Sequence, residues 1–405
     1  MLAFNVHASR GLAVREAAWL PEVAAYRVRV SALRMPVLRG AAGDCNAYDG
    51  YRPAMEATNS FASLLPEFST AGLGDPLAPI PGKVLAVLET HAPLIQRFRE
   101  ATRCARVDFG EDYDQIPNPV FAPASLISHL TLVAGHQKAQ AGDVRAASEH
   151  YLDVARFGAD LESQGANLIQ SLMGRSIRDM ALRALGSLVV GKDLDAAERE
   201  QVVQELLHLE ATPPSLSKGF AGERLSLFRS VRGGAFAVWE QGALPIVNAV
   251  AGRPVALRLL EAEGLLAETS EAIDMPDFEA AARRMADIES RTAAAWPGSL
   301  LSIFVPNGRP LRDQLDVAKA HHALIQLALR IEGLRSKDGR YPAAVEGLPL
   351  DPFLPSGTLQ YSVTGEGTGY RIWSAGPDRQ DNKGNGQWQR GEGSQDIVLE
   401  RKPAI

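Results

Sequence analysis

The C-terminal region constrains the fold more than any other part of this sequence. From Leu311 to Lys337, apolar residues recur at alternating steps of four and three and form two neighbouring stripes, which is typical of a helix buried on several sides. Gly339 suits a helix C-cap, and Pro342 disfavours helical backbone before it, so the helix should end there. Short segments rich in β-branched or aromatic residues follow at 359–363, 370–374 and 396–400. This order predicts a long helix packed on an antiparallel sheet of three or four strands.

Three motifs occur in this region. They are Asp-Gly-Arg-Tyr-Pro ending at Pro342, Asp-Pro-Phe starting at Asp351, and Tyr-Arg-Ile-Trp-Ser-Ala-Gly-Pro-Asp starting at Tyr370. Their order resembles the globular head of type II secretion pseudopilins, where a turn, a sheet-opening segment and a strand lead into an acidic, Gly-rich loop. The resemblance covers under a quarter of the chain. It implies a small α+β head at residues 311–405 and a place in the periplasm or cell envelope.

The loop that follows the central strand is rich in Asp, Asn and Gly. Calcium takes about six to eight oxygen ligands, which carboxylates, amides and exposed carbonyls supply. An EF-hand is rejected, because Lys383 would occupy a ligand position and strands flank the loop. The pseudopilin resemblance implies a calcium site with main-chain oxygens and the side chains of Ser374, Asp378, Asp381 and Asp396. The alternative is a hairpin in which Asp and Asn cap their own backbone.

The rest of the chain departs from that family. About 300 residues precede the head-like region, and the first residues do not resemble a pseudopilin leader. No stretch reaches the roughly 18 to 20 apolar residues that a membrane span needs. We therefore expect that this chain does not polymerise as a pilus subunit.

The body is predicted to be mainly α-helical. A chain of 405 residues exceeds the roughly 250 to 300 residues beyond which single cores usually divide. Helical periodicity and Pro/Gly-rich breaks predict an N-terminal helical region, an acidic and Pro-rich connector, an antiparallel helical array, an apolar linker and the α+β domain. Their expected bounds are 1–107, 108–123, 124–294, 295–310 and 311–405.

One segment of the array resembles half of a tetratricopeptide repeat. Gly142 and Asp143 would form the turn between two helices, Ala147 would permit close helix approach, and Tyr151 would fill the groove. No second copy occurs at a period of about 34 residues. The sequence thus predicts a helical hairpin near 130–157 and not a solenoid. Further on, Asp195 and Glu198 are spaced as a capping box and predict another helix start.

The two cysteines, Cys45 and Cys104, are too few for a metal cluster and are not in a C-x-x-C pair. They would form one disulfide in an oxidising compartment or remain two thiols in the cytosol. The pseudopilin resemblance favours the disulfide.

Recognisable catalytic signatures are missing from the sequence. It contains no nucleophile elbow, P-loop or H-E-x-x-H motif. His129, His136 and His150 lie in the dense helical region, and we interpret them as satisfied structural histidines in preference to metal ligands. The formal net charge of −6 gives no reason to expect nucleic acid or an anionic membrane as partner.

Three functional classes remain open. The favoured one is a non-catalytic cell-envelope protein that offers an interaction or scaffolding surface to protein partners. The second is a carboxylate-based hydrolase with its site in the helical body, since paired carboxylates leave no sequence motif. The third is a cytosolic TPR-like adaptor.

Overall fold

The structure, a computed structural model, is mainly helical with a three-stranded antiparallel sheet near the C-terminus, so the predicted fold class is confirmed. It describes residues 45–64, 66–68, 71, 75–107, 121–164, 168–211, 216, 219–220, 223, 262, 264–294, 308–335, 339–354, 356–385, 388 and 395–403. Most of the predicted connector and linker and all of residues 1–44 lie outside this set. No described helix is long and apolar enough to cross a membrane.

The named helices are α1 (Ala47–Thr58), α2 (Gly82–Ala101), α3 (Phe121–Gln140), α4 (Val144–Gln164), α5 (Leu168–Gly191), α6 (Ala196–Ala211), α7 (Phe278–Ala294) and α8 (Gly308–Leu334). The strands are β1 (Gln360–Thr364), β2 (Gly369–Ser374) and β3 (Ile397–Arg401). The chain divides into two compact units. One comprises residues 1–33, 165–172 and 215–312, and the other comprises 34–164, 173–214 and 313–405.

The predicted hairpin is present between α3 and α4. Gly142 adopts a φ of +81°, and the Asp143 side chain accepts a hydrogen bond from Ala146 N at 3.1 Å, which caps α4. Ala147 and Tyr151 are fully buried. A Cβ at Gly135 would lie 2.5 Å from the Tyr151 ring, so the aromatic side chain fills the space that this glycine leaves.

Helices α4 and α5 cross with their backbones in contact. A Cβ on Gly174 would lie 2.5 Å from the carbonyl oxygen of Gly158, and one on Gly158 would lie 2.6 Å from the carbonyl oxygen of Gly174. Only glycine at both positions allows this separation. Two isolated helical glycines therefore set the packing distance of this helix pair.

A disulfide joins Cys45, just before α1, to Cys104, just after α2, with Cα atoms 5.2 Å apart. This is the pairing that the resemblance favoured. Beneath it, the rings of Tyr51, Phe98 and Phe157 pack with centroids 4.7 to 5.6 Å apart. All three rings are fully buried, so α1, α2 and α4 share one aromatic core.

The capping box at the start of α6 is confirmed. Asp195 N donates to Glu198 Oε2, and Glu198 N donates to Asp195 Oδ1, each at 2.8 Å. These reciprocal bonds satisfy two amide groups that the first helical turn would otherwise leave without acceptors.

The C-terminal sheet has the order β1-β2-β3 with both pairs antiparallel. Its strands lie within one residue of the predicted segments at both ends. Helix α8 begins at Gly308, three residues before the predicted start, because Pro310 is tolerated in a first helical turn, where its missing N–H has no partner to lose.

The sheet packs on the helices of its own unit. A Cβ on Gly186 of α5 would lie 3.3 Å from Ile325 of α8 and 3.4 Å from Leu399 of β3. Arg401 donates to the carbonyl oxygen of Lys192 at 3.0 Å and pairs with Asp193 in the turn after α5. The C-terminal strand therefore helps to close the core of this unit.

The other unit contains α7, helical residues 264–274 and the start of α8. Arg312 donates to the carbonyl oxygens of Ile273 and Met275 at 2.9 and 2.6 Å, which holds α8 against the end of that helical stretch. Gly308 lies where a Cβ would be 2.9 Å from the Met285 sulfur, so glycine permits α8 to start close to α7.

Candidate functional site

The predicted calcium loop connects β2 to β3. Ser374 is the last residue of β2, and Asp396 directly precedes β3. Positive φ angles at Arg379 and Lys383, of 60° and 61°, fold the segment back on itself. A Cβ on Gly384 would lie 3.2 Å from the Trp373 ring, so the returning chain covers that indole. The loop is therefore packed against the sheet.

Asp396 is the central carboxylate of the loop. It is fully buried, and it accepts hydrogen bonds from Asn382 N at 3.2 Å and Gly384 N at 2.7 Å. Burial raises its pKa, and the negative charges of Asp381 and Asp378 raise it further. The three acidic side chains are thus near enough to repel one another, and a cation among them would reverse that effect.

Asp381 and Asp378 also accept hydrogen bonds from nearby donors. Asp381 Oδ1 accepts from the Trp373 indole and from Lys383 N, both at 2.8 Å. Asp378 Oδ1 accepts from Gln380 N at 3.1 Å. Bonds from the residue two positions on are Asx turns, the arrangement that the alternative interpretation required.

Ser374 is turned toward a different acid. Its hydroxyl donates to Asp351 Oδ1 at 2.8 Å, and the other Asp351 oxygen accepts from Ala375 N at 2.8 Å. Asp351 also accepts from Phe353 N, at 2.9 Å. This buried Asp, which opens the Asp-Pro-Phe motif, ties the segment before β1 to the end of β2. Sequence reasoning used it only as part of a motif and missed its contact with Ser374.

The donor chemistry of the loop fits calcium in part. Asp378, Asp381 and Asp396 supply three carboxylates within electrostatic reach. The oxygens of Asp378 and Asp396 each accept one N–H and keep a second lone pair, whereas Asp381 Oδ1 already accepts two. Among the described residues, however, no group of three His, Cys, Asp or Glu side chains already has the arrangement of a metal site. Calcium binding would therefore require the carboxylates to turn toward one another.

The three histidines of the hairpin are hydrogen-bonded within the fold. Nδ1 of His129 and of His150 lies 2.7 Å from the carbonyl oxygen four residues earlier, and His136 Nδ1 lies 2.7 Å from the Tyr151 hydroxyl. Burial lowers the pKa of His129, and burial together with the charge of Arg99 lowers that of His150 to about 4. His129 and His150 are thus held neutral, as expected for structural residues.

Several buried acids of the helical body are paired with arginines, whereas buried Asp160 of α4 accepts a hydrogen bond from the Tyr51 hydroxyl at 2.6 Å. Asp153 lies 2.7 Å from Arg99 Nε and 2.7 Å from Arg156 NH1, while Arg156 also contacts Glu205 at 2.6 Å. Glu162 pairs with Arg175 of α5. These ion pairs connect α2, α4, α5 and α6. The charged groups of these residues therefore hold the helices together.

A groove lies on the surface between α6 and α8, with a volume of about 450 Å³. Val203 and Leu207 of α6 and Leu329 of α8 give it apolar walls, and Leu207 is 47% exposed. Arg199 and Arg330 add two positive charges, and Glu200 adds one negative charge. Arg330 is fixed by donating to the carbonyl oxygen of Gly347 at 2.8 Å.

Comparison with known proteins yields no assignment: no family model, no curated protein and no solved structure matches this chain.

Proposed function

We propose that this chain is a non-catalytic cell-envelope protein that provides an interaction or scaffolding surface, with a pseudopilin-like, calcium-stabilised C-terminal head. The observation that carries the proposal is the use of the buried charges. Asp153, Glu162 and Glu205 of the helical body pair with arginines of other helical turns. A hydrolytic carboxylate pair would instead face a cleft with room for substrate.

The proposed compartment is supported by the disulfide. Cys45 and Cys104 are the only cysteines, and they are bonded to each other. Such bridges persist mainly in oxidising surroundings such as the periplasm and the cell surface. Cell fractionation combined with thiol alkylation tests this point. Recovery of the protein in the cytosol with two reactive thiols would favour the TPR-like adaptor.

The proposed partner surface is the groove between α6 and α8. An amphipathic segment with acidic flanks fits it, because the groove has apolar walls and two arginines against one acid, Glu200. A photo-crosslinking residue at Leu207 should give an adduct of defined mass in cells, whereas the same residue at exposed Glu89 of α2 should not. Equal yields from the two positions would contradict the assignment of this groove.

Calcium stabilisation is tested on the head itself. Calcium at about a hundredfold excess over its Kd should stabilise the loop by about 2.7 kcal/mol, because binding to the native state alone shifts the folding equilibrium. Amide hydrogen exchange at residues 375–385 measures this stabilisation within the loop. Asp381→Asn should abolish the protection, although an amide oxygen can still accept from Trp373 and Lys383.

The matched control is Asp143→Asn, which makes the same change at a helix cap remote from the loop in sequence. This variant should retain the calcium response. Unchanged exchange with and without calcium in the wild-type protein would leave the Asx-turn hairpin as the account of the loop.

A further inference from the structure

The C-terminal sheet has two edges, because β2 lies between β1 and β3. At one edge, β3 carries Glu400 and Arg401 and is followed by Lys402 and Pro403. Charged residues, especially lysine, and proline at an edge strand hinder pairing with another strand. Arg401 also donates to the carbonyl oxygen of Lys192, which brings the turn after α5 against this strand. The β3 edge is therefore protected against further pairing.

The β1 edge lacks these features. β1 contains no charged residue and no proline. Among the described residues, no backbone hydrogen bond joins 360–364 to any segment except β2. The preceding Leu359 donates to the carbonyl oxygen of Pro349 at 2.8 Å, so the pairing with residues 349–351 stops before β1 begins. Because alternate residues of a strand direct their N–H and C=O groups to opposite sides, β1 keeps backbone donors and acceptors that face away from β2.

The side chains of β1 fix the strand on the sheet. Tyr361 donates to the carbonyl oxygen of Pro342 at 2.6 Å, and its ring centroid lies 6.3 Å from that of buried Tyr370. Tyr370 bonds Glu332 of α8, so Tyr361 lies on the face of the sheet that α8 covers. Ser362 lies on the other face and is exposed. The strand is thus ordered before a partner pairs with it, which lowers the entropic cost of association.

The surroundings of Ser362 are electrically neutral on the side of the open edge. Arg371 of β2 lies opposite Ser362 in the sheet. Its guanidinium donates to Glu400 of β3 at 2.9 Å and is therefore held away from β1. A second strand that approaches β1 meets no charge of like or opposite sign from this pair.

We infer that β1 is the contact surface for a second copy of this chain, and that the two β1 strands pair antiparallel about a two-fold axis at Ser362. In this register Ser362 lies opposite its own counterpart, Tyr361 opposite Val363, and Gln360 opposite Thr364. An aromatic residue thus meets a β-branched one, polar residues meet polar ones, and no like charges face each other. The strand is therefore complementary to itself.

This pairing closes after two copies. It uses the open edge of each sheet and leaves the protected β3 edges at the two ends, so a third copy has no equivalent place to add. Two strands of five residues bury less surface than the about 1,600 Å² of a standard protein interface. The dimer should therefore be weak and should depend on concentration. The inference does not depend on the proposed function.

Disulfide trapping tests the register. Ser362→Cys in the full chain should form a covalent dimer with oxidised glutathione, because opposite residues of paired strands have Cβ atoms about 4.5 to 5.5 Å apart. Cys45 and Cys104 are already bonded to each other and leave the new thiol as the reactive one. Gln360→Cys is the matched control on the same face. Its two copies would lie about 13 Å apart along the strands, beyond the ~7 Å limit for a bridge.

The inference predicts a much higher dimer yield from Ser362→Cys than from Gln360→Cys. Equal yields from the two variants, or no covalent dimer from folded Ser362→Cys, would overturn it.

Sedimentation equilibrium measures the association without a covalent bond. The wild-type chain should shift reversibly from monomer to dimer as its concentration rises. Ser362→Lys should weaken dimerisation by about tenfold or more, because two ammonium groups would face each other across the axis. Ser356→Lys adds the same charge at an exposed serine outside β1 and should leave the affinity unchanged. A wild-type chain that stays monomeric, growth beyond two copies, or wild-type affinity in Ser362→Lys would contradict the proposed contact.

Discussion

Removal of the disulfide should weaken the association of α1 with α2 by a predictable amount. The bonded cysteines are separated by 59 residues. For a loop of about 60 residues, the disulfide lowers the conformational entropy of the unfolded chain by about 14 cal/mol/K. This corresponds to a stabilisation of the folded state by about 4 kcal/mol at 25 °C. Since native domains are stable by only about 5 to 15 kcal/mol, this is a large fraction of the total.

The variant is Cys45→Ala with Cys104→Ala, compared with the wild-type protein in its oxidised form. Because the chain has two compact units, hydrogen exchange within 47–58 and 82–101 is a better measure than a single melting temperature. The free energy of opening in these helices should fall by about 4 kcal/mol. A reductant should have the same effect on the wild-type protein and none on the double variant.

The reasoning would be refuted if the double variant kept wild-type protection in α1 and α2 while thiol counting showed a complete disulfide in the wild type. In that case the backbone bond from Ala47 N to the Arg106 carbonyl oxygen, at 2.9 Å, and the aromatic core would suffice to hold the helices.

Three further predictions concern buried residues. Burial raises the pKa of Asp160 to about 7, so the folded protein keeps this proton after the unfolded chain has lost it, and stability should fall by about 4 kcal/mol from about pH 4 to pH 7. Urea titrations should show that Asp160→Asn removes this dependence; an unchanged slope would contradict it. Gly174→Ala should destabilise the protein by about 1 to 3 kcal/mol, because its methyl group would overlap the Gly158 carbonyl oxygen, and a wild-type urea midpoint would refute the close crossing. Tyr370→Phe should destabilise the protein by about 1 to 3 kcal/mol by removing the bond to Glu332 at 3.0 Å, and a wild-type urea midpoint would contradict this contribution.

Features that depend on neighbouring residues in the sequence could be predicted. The turn at Gly142, the capping box of Asp195 and Glu198, and the three strands each depend on backbone preferences within a few positions. Such preferences act before the rest of the chain is in place, so one sequence suffices to recognise them.

Apart from the disulfide between the two cysteines of the sequence, contacts between distant residues could not be predicted. No sequence pattern near Glu332 predicts that it accepts a hydrogen bond from Tyr370, because that contact exists only once β2 lies on α8. The bond from Ser374 to Asp351 likewise joins residues 23 positions apart. For the predicted calcium loop, the acidic composition could be read from the sequence, but the directions of the side chains could not, because the N–H donors around Asp396 determine them.

Arg401 contacts the end of α5 across 209 positions of the sequence. This separation determines which surface of the helices is exposed while the protein is being synthesised. During synthesis the helices of 121–211 emerge long before β3, so their surface near Gly186 is covered only in part, by Ile325 of α8, until Leu399 has been translated. Non-local contacts of this kind slow folding, because the intervening chain must be ordered before they form. A chain cut short before Ile397 would expose this apolar surface, which would make the truncated product a substrate for chaperones and proteases.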